Sequence, residues 1–223
     1  MNQEQALSLL KETKLVAILR GIPVKQATDI ATALYDGGVR VLEFTFDHDD
    51  PDCVAHNCQR IRAVKKIFGD EMVVGCGTAL TVQEVEASVE AGGQIVISPN
   101  VDVSVIAKTK ALGAISMPGA LTPTEIVTAY NAGADIVKLF PAGTLGVPYI
   151  KAVRGPLGYI PMSAVGGVRP ETIADFLNVG VCGFGVGGEL VKKEFVRSGD
   201  MNALTSRARK FVHAIEQWEA NRS

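Results

Sequence analysis

Aromatic residues, paired cysteines and long apolar runs are all scarce in this sequence of 223 residues. Aromatic side chains make up only 6% of the chain, whereas 47% of its residues are hydrophobic, so the core must consist mainly of Leu, Ile, Val and Ala. Such a core suits helices packed on a parallel sheet. The four cysteines contain no C-x-x-C pair, and a chain of this length needs no disulfide framework. This cysteine usage favours a reducing compartment.

The sequence also lacks the marks of membrane and nucleic-acid-binding proteins. No apolar run approaches the roughly 20 residues that span a bilayer. The opening segment "MNQEQALSLLKETK" is polar and amphipathic and has no signal-peptide apolar block. The formal net charge is -2, and no basic stripe or arm is visible. We therefore expect a cytoplasmic protein with no nucleic-acid or membrane partner.

A weak internal repeat is present instead. Small-residue clusters precede short β-branched runs, as in "DGGVRVLEFT", "AGGQIVISP" and "AGADIVKLFP". In each, a glycine can end a helix in the left-handed conformation before a buried strand begins. Apolar residues recur at helical spacing between the strands. One such helix starts with Thr122, Pro123 and Glu125, a capping box with proline at the first helical position.

Eight strands are predicted by this pattern. Strand–helix alternation repeated eight times predicts an α/β fold, a (β/α)8 TIM barrel, as a single domain over residues 1–223. The segment from Met201 to about Glu219 is the expected last helix. An open doubly wound sheet is the alternative. The predicted strands are Leu15–Arg20, Val39–Thr45, Met72–Gly77, Gln94–Ser98, Ala114–Met117, Asp135–Phe140, Ile160–Ala164 and Cys182–Val186.

One lysine stands inside an apolar strand. Lys138 lies in "ADIVKLFPAG", where a charged amine loses its hydration at a cost unless it is paired or neutralised. Glu43 is similarly flanked by apolar residues in "VLEFTF". Side chains alternate along a strand, so Ile136 shares a face with Lys138, and Val41 shares one with Glu43. If both faces point into the barrel, the lysine and the glutamate meet there.

Two interpretations of this pair compete. It could be a buried ion pair retained for packing or register. Alternatively, burial lowers the lysine pKa and leaves a neutral amine that condenses with a ketone. The resulting iminium is an electron sink for breaking or making the adjacent carbon–carbon bond, and a neighbouring carboxylate moves the protons. We favour the catalytic interpretation because Lys138 is the only lysine inside a predicted apolar strand core.

Paired glycines follow the last two predicted strands. Gly166 and Gly167 lie in "AVGGVRPETI", and Gly187 and Gly188 lie in "GVGGEL". In TIM barrels, the loops at these positions commonly bind phosphate through backbone N–H groups and a short helix N-terminus. Either pair alone is weak support, because tight turns between strand and helix need glycine anyway. Together the two pairs predict an anion site.

Five motifs resemble a known family in the same order and over nearly the whole chain. They are "VLEFT", "GCGTAL", "ISPN", "MPGALTPTEI" and "KLFPAGTLGVPYIKAVRGPL". They are similar to the bifunctional 2-keto-3-deoxy-6-phosphogluconate / 4-hydroxy-2-oxoglutarate (KDPG/KHG) aldolases. The resemblance implies a class I, pyruvate-dependent aldolase on a (β/α)8 barrel, without cofactor or metal and commonly a homotrimer. Its substrate would be a 2-keto-3-deoxy (phospho)sugar acid or 4-hydroxy-2-oxoglutarate, cleaved to pyruvate and an aldehyde.

The resemblance also implies roles for particular residues. Lys138 would be the Schiff-base lysine and Glu43 the general acid/base. Arg20, in "ILRG", would bind the substrate carboxylate, which a guanidinium can hold bidentately. The other implied substrate-binding residues are Thr78, Pro118 and Gly119 in the pyruvate pocket, Phe140 against the pyruvate moiety, and Gly166, Gly167, Gly187 and Gly188 at the phosphate end.

Four positions depart from the family pattern. Asp47 stands where many members carry arginine, Asn100 replaces the glycine of "SPG", Val165 replaces the threonine of "TGG", and Gly188 replaces a serine. All four concern the aldehyde and phosphate end. A carboxylate at Asp47 would repel a phosphate, so we favour an unphosphorylated, hydroxyl-bearing acceptor. The contrary hypothesis is that Asp47 turns outward and the glycine turns bind phosphate unaided.

Three rival functions remain open at this stage. The loop "FDHDDPDCVAHNC" holds Asp47, His48, Asp50 and His56 and could be built into a metal site. We favour a polar loop in which Asp50 caps a helix that begins at Pro51. A phosphosugar isomerase or epimerase would share the barrel and the glycine turns but rarely needs a buried lysine facing a glutamate. A non-catalytic sugar-acid-binding relative would not trap pyruvate on Lys138.

Overall fold

The computed structural model describes residues 1–222. Within them, nine strands form one parallel sheet in the order β5-β4-β3-β2-β1-β9-β8-β7-β6. The strands are β1 Leu15–Leu19, β2 Val41–Thr45, β3 Val73–Gly77, β4 Ile95–Ile97, β5 Ile115–Met117, β6 Gly119–Ala120, β7 Val137–Leu139, β8 Met162–Val165 and β9 Gly183–Val186.

The ring closes across β5 and β6, which follow each other in the chain and are separated by Pro118. The predicted strand Ala114–Met117 corresponds to β5, and β6 lies beyond its predicted end. Strand β5 pairs with β4, and β6 pairs with β7. Proline has no N–H to donate to a ladder, but its carbonyl still accepts. The backbone N–H of Lys138 donates to the Pro118 carbonyl at 2.9 Å, and that of Asp135 donates to Ser116 at 3.0 Å. Eight strand positions therefore surround the barrel, which confirms the (β/α)8 prediction over the open sheet.

Helices alternate with the strands, and all except the first pack outside the barrel. They are α1 Gln3–Thr13, α2 Ala27–Asp36, α3 Cys53–Phe68, α4 Val82–Glu90, α5 Val103–Ala111, α6 Pro123–Asn131, α7 Ala142–Leu157, α8 Ile173–Asn178, α9 Lys193–Ser198 and α10 Met201–Ala220. The capping box predicted for α6 is confirmed: the Thr122 hydroxyl accepts from the N–H of Glu125, whose carboxylate accepts from that of Thr122. No helix within residues 1–222 is long and apolar enough to cross a membrane.

The first helix has a function that the sequence pattern did not predict. Ala6 and Leu10 of α1 are buried in the same cluster as the inward-facing side chains of the strands, including Val16, Val41 and Val73. The helix thus closes the amino end of the barrel with apolar contacts. The carboxyl ends of the strands are left as the open mouth, where catalytic residues of this fold lie.

Candidate active site

Lys138 and Glu43 line one cavity at the carboxyl ends of the strands. The cavity has a volume of about 400 Å³, within the usual range of small-molecule sites. Lys138 is 7% exposed and Glu43 is 1% exposed. The flanking Val137 and Leu42 belong to the outer core between the sheet and the helices. Strand alternation therefore turns both ionisable side chains into the barrel, as the sequence predicts.

Burial, more than mutual pairing, dominates the electrostatics of these two groups. Desolvation raises the pKa of Glu43 to about 7, although the positive charges of Lys138 and Arg20 oppose the shift. Desolvation likewise lowers the pKa of Lys138, helped by Arg20 and opposed by Glu43. Within residues 1–222, no hydrogen bond or ion pair joins Lys138 Nζ to Glu43 Oε1 or Oε2. This geometry differs from the buried ion pair that the alternative interpretation requires.

The Glu43 carboxylate is aimed at a position with no protein partner. Its Oε2 atom is buried, and no group in the described chain hydrogen-bonds to it. A Cβ added at Gly77 would lie 1.9 Å from that oxygen, so glycine at this strand end makes room for the carboxylate. A buried acceptor without a partner is costly and marks a site that a ligand proton completes.

Two further predicted residues lie at the mouth of the cavity. Arg20 follows β1, is exposed and lines the cavity. Thr78 follows β3 and also lines it. Its φ of 57° is left-handed, which is strained for a β-branched residue and typical of functional sites. The "GCGT" turn thus holds Thr78 in a conformation that ordinary packing does not favour.

The two glycine turns form the opposite side of the cavity, which Gly166, Gly167, Gly187 and Gly188 all line. Gly166 has a φ of 90°, and its carbonyl accepts from the N–H of Gly143 at 2.8 Å. No hydrogen bond within residues 1–222 uses the N–H of Gly167 or of Gly188. These backbone donors are available to an anion, as the paired-glycine argument predicts.

Phe140, Pro118 and Gly119 differ in their access to the cavity. Phe140 lines it, is 41% exposed, and its ring centroid lies 5.0 Å from Lys138 Nζ. Pro118 and Gly119 do not line it. They lie behind Lys138, where β6 pairs with β7. A Cβ on Gly119 would lie 2.4 Å from the Pro99 carbonyl, so the close approach of the two chains needs glycine. Pro118 and Gly119 therefore support the strand that carries Lys138 and do not form part of the cavity wall.

The acidic loop after β2 does not gather its ligand-type side chains. His48 Nε2 contacts Glu84 and His56 Nδ1 contacts Asp50, each at 2.8 Å, so the two histidines have different partners. Within residues 1–222, no group of three or more His, Cys, Asp or Glu side chains could hold a metal ion. The prediction that Asp50 caps a helix beginning at Pro51 is wrong. The helix begins at Cys53, and Asp50 Oδ1 instead accepts from the N–H of Asp52 in the preceding turn.

Asp47 lies outside the cavity, contrary to the favoured prediction. Its side chain is exposed and accepts from the N–H of Asp49 at 3.4 Å. The carboxylate residue that does line the cavity at the acceptor end is Glu189, directly after Gly187 and Gly188. Sequence reasoning missed Glu189, although its place beside a glycine turn after the last strand was a usable signal.

Comparison with known proteins places this geometry in a family. Residues 7–207 match the family described as KDPG and KHG aldolase. The chain belongs to the KDPG and KHG aldolase family. It is 37% identical over 182 residues to a probable 2-dehydro-3-deoxy-6-phosphogalactonate aldolase of Rhizobium meliloti, covering 81% of this chain and 83% of the relative. It is 32% identical over 216 residues to the KHG/KDPG aldolase of Escherichia coli K12, covering 95% and 96%.

Solved structures agree with the fold. A structure described as native KDPGal shares 33% identity with this chain, covers 92% of it and 96% of the solved chain, and superposes with a TM-score of 0.83. The (β/α)8 barrel and the family resemblance found in the sequence are thus confirmed. Among the described residues that line the cavity, Lys138 and Glu43 are the buried ionisable groups.

Proposed function

We propose that, in this pyruvate-dependent Schiff-base aldolase, Lys138 forms the covalent iminium and Glu43 transfers the protons. The observation that carries the assignment is the buried cavity in which a lysine with a lowered pKa and a glutamate with a raised pKa lie without an ion pair. Two titratable groups whose environments shift their pKa values in opposite directions are typical of acid/base catalysis.

The proposed cleavage balances with these two groups and water. The neutral Lys138 amine adds to the C2 ketone, and loss of water with uptake of one proton from solvent gives the iminium; the final hydrolysis releases that proton again. The Glu43 carboxylate takes the proton of the C4 hydroxyl while the C3–C4 bond breaks. The electron pair of that bond passes to the iminium and forms an enamine. Glu43 then returns the proton to C3, and hydrolysis releases pyruvate and the free lysine.

We propose a 2-keto-3-deoxy-6-phospho sugar acid as the substrate, with glyceraldehyde 3-phosphate as the aldehyde product. Two relatives, at 37% and 35% identity, are named as acting on 2-dehydro-3-deoxy-6-phosphogalactonate. Asp47 lies outside the cavity, and the Glu189 carboxylate at the acceptor end is offset by its contacts with Lys192 and Arg207, so neither carboxylate favours an unphosphorylated acceptor. The free N–H groups of Gly167 and Gly188 suit a terminal phosphate.

The remaining predicted roles complete the proposal. Arg20 binds the substrate carboxylate at the mouth of the cavity, Thr78 orients the pyruvate moiety and Phe140 packs against it. Pro118 and Gly119 hold the strand of Lys138 in place. We further infer a cytoplasmic homotrimer from the family resemblance, for which light scattering at micromolar concentration should give three times the chain mass.

Trapping the iminium tests the assignment of the lysine. Incubation with pyruvate followed by borohydride should add a reduced pyruvyl group to the peptide that contains Lys138. Lys151, which is exposed on α7, serves as the control position. An adduct at another lysine, or no adduct, would refute the proposal. Retention of cleavage activity in EDTA is also expected, because the proposed steps need no metal.

A further inference from the structure

Two glutamates of this chain cap helices in the same way, but only one of them is buried. Glu84 at the start of α4 and Glu125 at the start of α6 each close a capping box, in "LTVQE" and "LTPTE". Glu125 is exposed, and the hydrogen bonds that it accepts within the described chain come only from Leu121 and Thr122. The Glu84 side chain is 7% exposed and has an additional partner. A helix cap by itself needs neither feature.

The additional partner of Glu84 is His48, which comes from the loop after β2. His48 Nε2 lies 2.8 Å from Glu84 Oε1. The other oxygen of the carboxylate, Oε2, accepts from the N–H groups of Leu80 and Thr81 at 2.7 and 3.0 Å. One carboxylate thus joins the loop after β2 to the loop after β3.

The loop after β3 carries Thr78, which lines the cavity. The loop is fixed on both sides of this residue. Before it, the N–H of Phe46 donates to the Gly77 carbonyl at 2.8 Å, and after it, Glu84 holds the N–H of Leu80. The left-handed φ of 57° at Thr78 is costly for a β-branched residue and persists only where the surrounding structure imposes it. The contacts of Gly77 and Glu84 provide that restraint.

We propose that Glu84 and His48 are positioning residues that direct the Thr78 hydroxyl towards the pyruvate moiety of the substrate. This inference rests on the proposed function, in which Thr78 orients that moiety. Leu80 follows Thr78 by two positions, so a shift of the Glu84 carboxylate displaces Thr78 through a very short piece of backbone. His48 holds the same carboxylate from the loop that follows β2, the strand of Glu43. The contact therefore connects the strand of the acid/base to the residue that orients pyruvate.

Borohydride trapping over a range of pyruvate concentrations, together with steady-state cleavage, tests both positions. Glu84→Ala should raise the pyruvate concentration for half-maximal trapping and lower kcat/KM, each by about tenfold, which is less than the ~100-fold that a displacement of about 1 Å can cost. His48→Ala should change both by about threefold, the loss expected for one hydrogen bond. Glu84→Gln keeps an oxygen that accepts from the N–H groups of Leu80 and Thr81 and should retain most of the activity.

Matched controls separate the positioning of Thr78 from helix capping. Glu125→Ala removes the equivalent cap from α6 and should lower the melting temperature. His56→Ala removes a histidine that is 39% exposed, against 40% for His48, and that contacts Asp50. Both variants should keep the trapping curve and the kcat/KM of the wild type. A loss in Glu125→Ala as large as that in Glu84→Ala would overturn the proposal, because capping alone would then explain both.

A pair of backgrounds decides whether the effect passes through Thr78. Thr78→Val lacks the hydroxyl but keeps the β-branched shape. In this background Glu84→Ala should no longer lower kcat/KM, whereas its effect on the melting temperature should persist. An equal loss of kcat/KM in both backgrounds would refute the proposal, as would wild-type trapping in folded Glu84→Ala. If Glu84→Ala does not fold, His48→Ala in the two backgrounds gives the same comparison. Absence of a pyruvate adduct in the wild type would instead reject the underlying aldolase assignment.

Discussion

At the scale of single residues, the proposed chemistry depends on two ionisable side chains that share a buried cavity without a hydrogen bond or ion pair between them. Glu43 is fully enclosed and Lys138 nearly so, and desolvation favours the neutral form of each. A salt bridge would instead stabilise both charged forms and keep the lysine protonated. The separation of the two groups therefore matters as much as their burial, because it leaves the amine free to react with a ketone.

Glu43→Gln should fold normally and lose turnover. The amide keeps the size of the side chain but cannot accept a proton, so kcat should fall by about 10²–10⁴, the usual contribution of a positioned acid/base. Steady-state cleavage assays measure the effect, and Glu86→Gln, an exposed carboxylate paired with Lys108, is the control. Near-wild-type turnover would reduce Glu43 to a structural neighbour of Lys138.

The raised pKa of Glu43 predicts a pH dependence of stability as well as of activity. The folded-state pKa of about 7 exceeds the ordinary value of 4.5, so the folded protein binds a proton that the unfolded chain releases. The stabilising contribution of protonated Glu43 is complete below pH 4.5 and is lost as the pH rises to about 7. Cleavage should show the opposite trend and rise through the same range, because the carboxylate is the base.

Comparison of the wild type with Glu43→Gln over this range isolates the contribution of the carboxyl group. The difference in unfolding free energy between the two proteins should change with pH between 4.5 and about 7 and stay constant outside this range. The rise in kcat/KM near pH 7 should be absent from the variant. The same rise in both proteins would assign it to another group.

At the scale of elements, the interruption between β5 and β6 decides where Lys138 points. The Pro118 carbonyl accepts from the N–H of Lys138, and β6 then pairs with β7 for only two residues. Glycine at position 119 permits this pairing, because an added Cβ would lie only 2.4 Å from the Pro99 carbonyl oxygen. A short, tightly packed junction thus fixes the backbone of the reacting lysine from one side.

Gly119→Ala should destabilise the protein and impair catalysis together. A Cβ placed 2.4 Å from a backbone oxygen forces the chain to move, and overpacking of this kind costs about 1–3 kcal/mol. Gly155→Ala in α7 is the matched control, because its added Cβ meets no atom within 4 Å apart from its chain neighbours and its own helix backbone. It should cost less than Gly119→Ala, since the new methyl group crowds only the ring of the following Pro156. Denaturant unfolding measures the change in stability, and steady-state assays measure the change in kcat. Unchanged values for Gly119→Ala would show that the backbone between β5 and β6 can move to accommodate the methyl group.

At the scale of the whole molecule, the barrel has one closed end and one reactive end. The apolar residues of α1 fill the amino end, and the polar cavity occupies the carboxyl end. The residues that stabilise the amino end are therefore separated along the barrel axis from the residues of the cavity. Substitutions at the closed end should lower the stability of the fold with little effect on cleavage activity.

Leu10→Ala tests this separation. The side chain is 4% exposed in the inner cluster, so its truncation leaves a cavity that costs about 2–5 kcal/mol. The kcat of the folded variant should remain within about twofold of the wild type, because the change lies at the end opposite the active site. Leu7→Ala, on a half-buried position of the same helix, should cost less. A lower kcat in Leu10→Ala with unchanged stability would contradict this separation of the closed end from the active site.

The sequence by itself determined the strand–helix order and one helix cap of this protein, because both depend on residues that are close together in the chain. The alternation of glycine-ended helices with β-branched strands predicted the barrel, and strand alternation predicted which residues share a face with Lys138 and with Glu43. Both inferences depend on neighbours close in the chain. The cap of α6 was predicted for the same reason, since Thr122 and Glu125 are one turn apart.

Only the tertiary structure decided the features that depend on contacts between distant segments. Whether Glu43 and Lys138 pair could not be predicted, because the distance between side chains on β2 and β7 is set by closure of the ring. The outward position of Asp47 and the placement of Glu189 at the cavity follow from loop paths that no periodicity describes. Arg207 reaches Glu189 from another element, α10, so packing of the last helix brought these two side chains together.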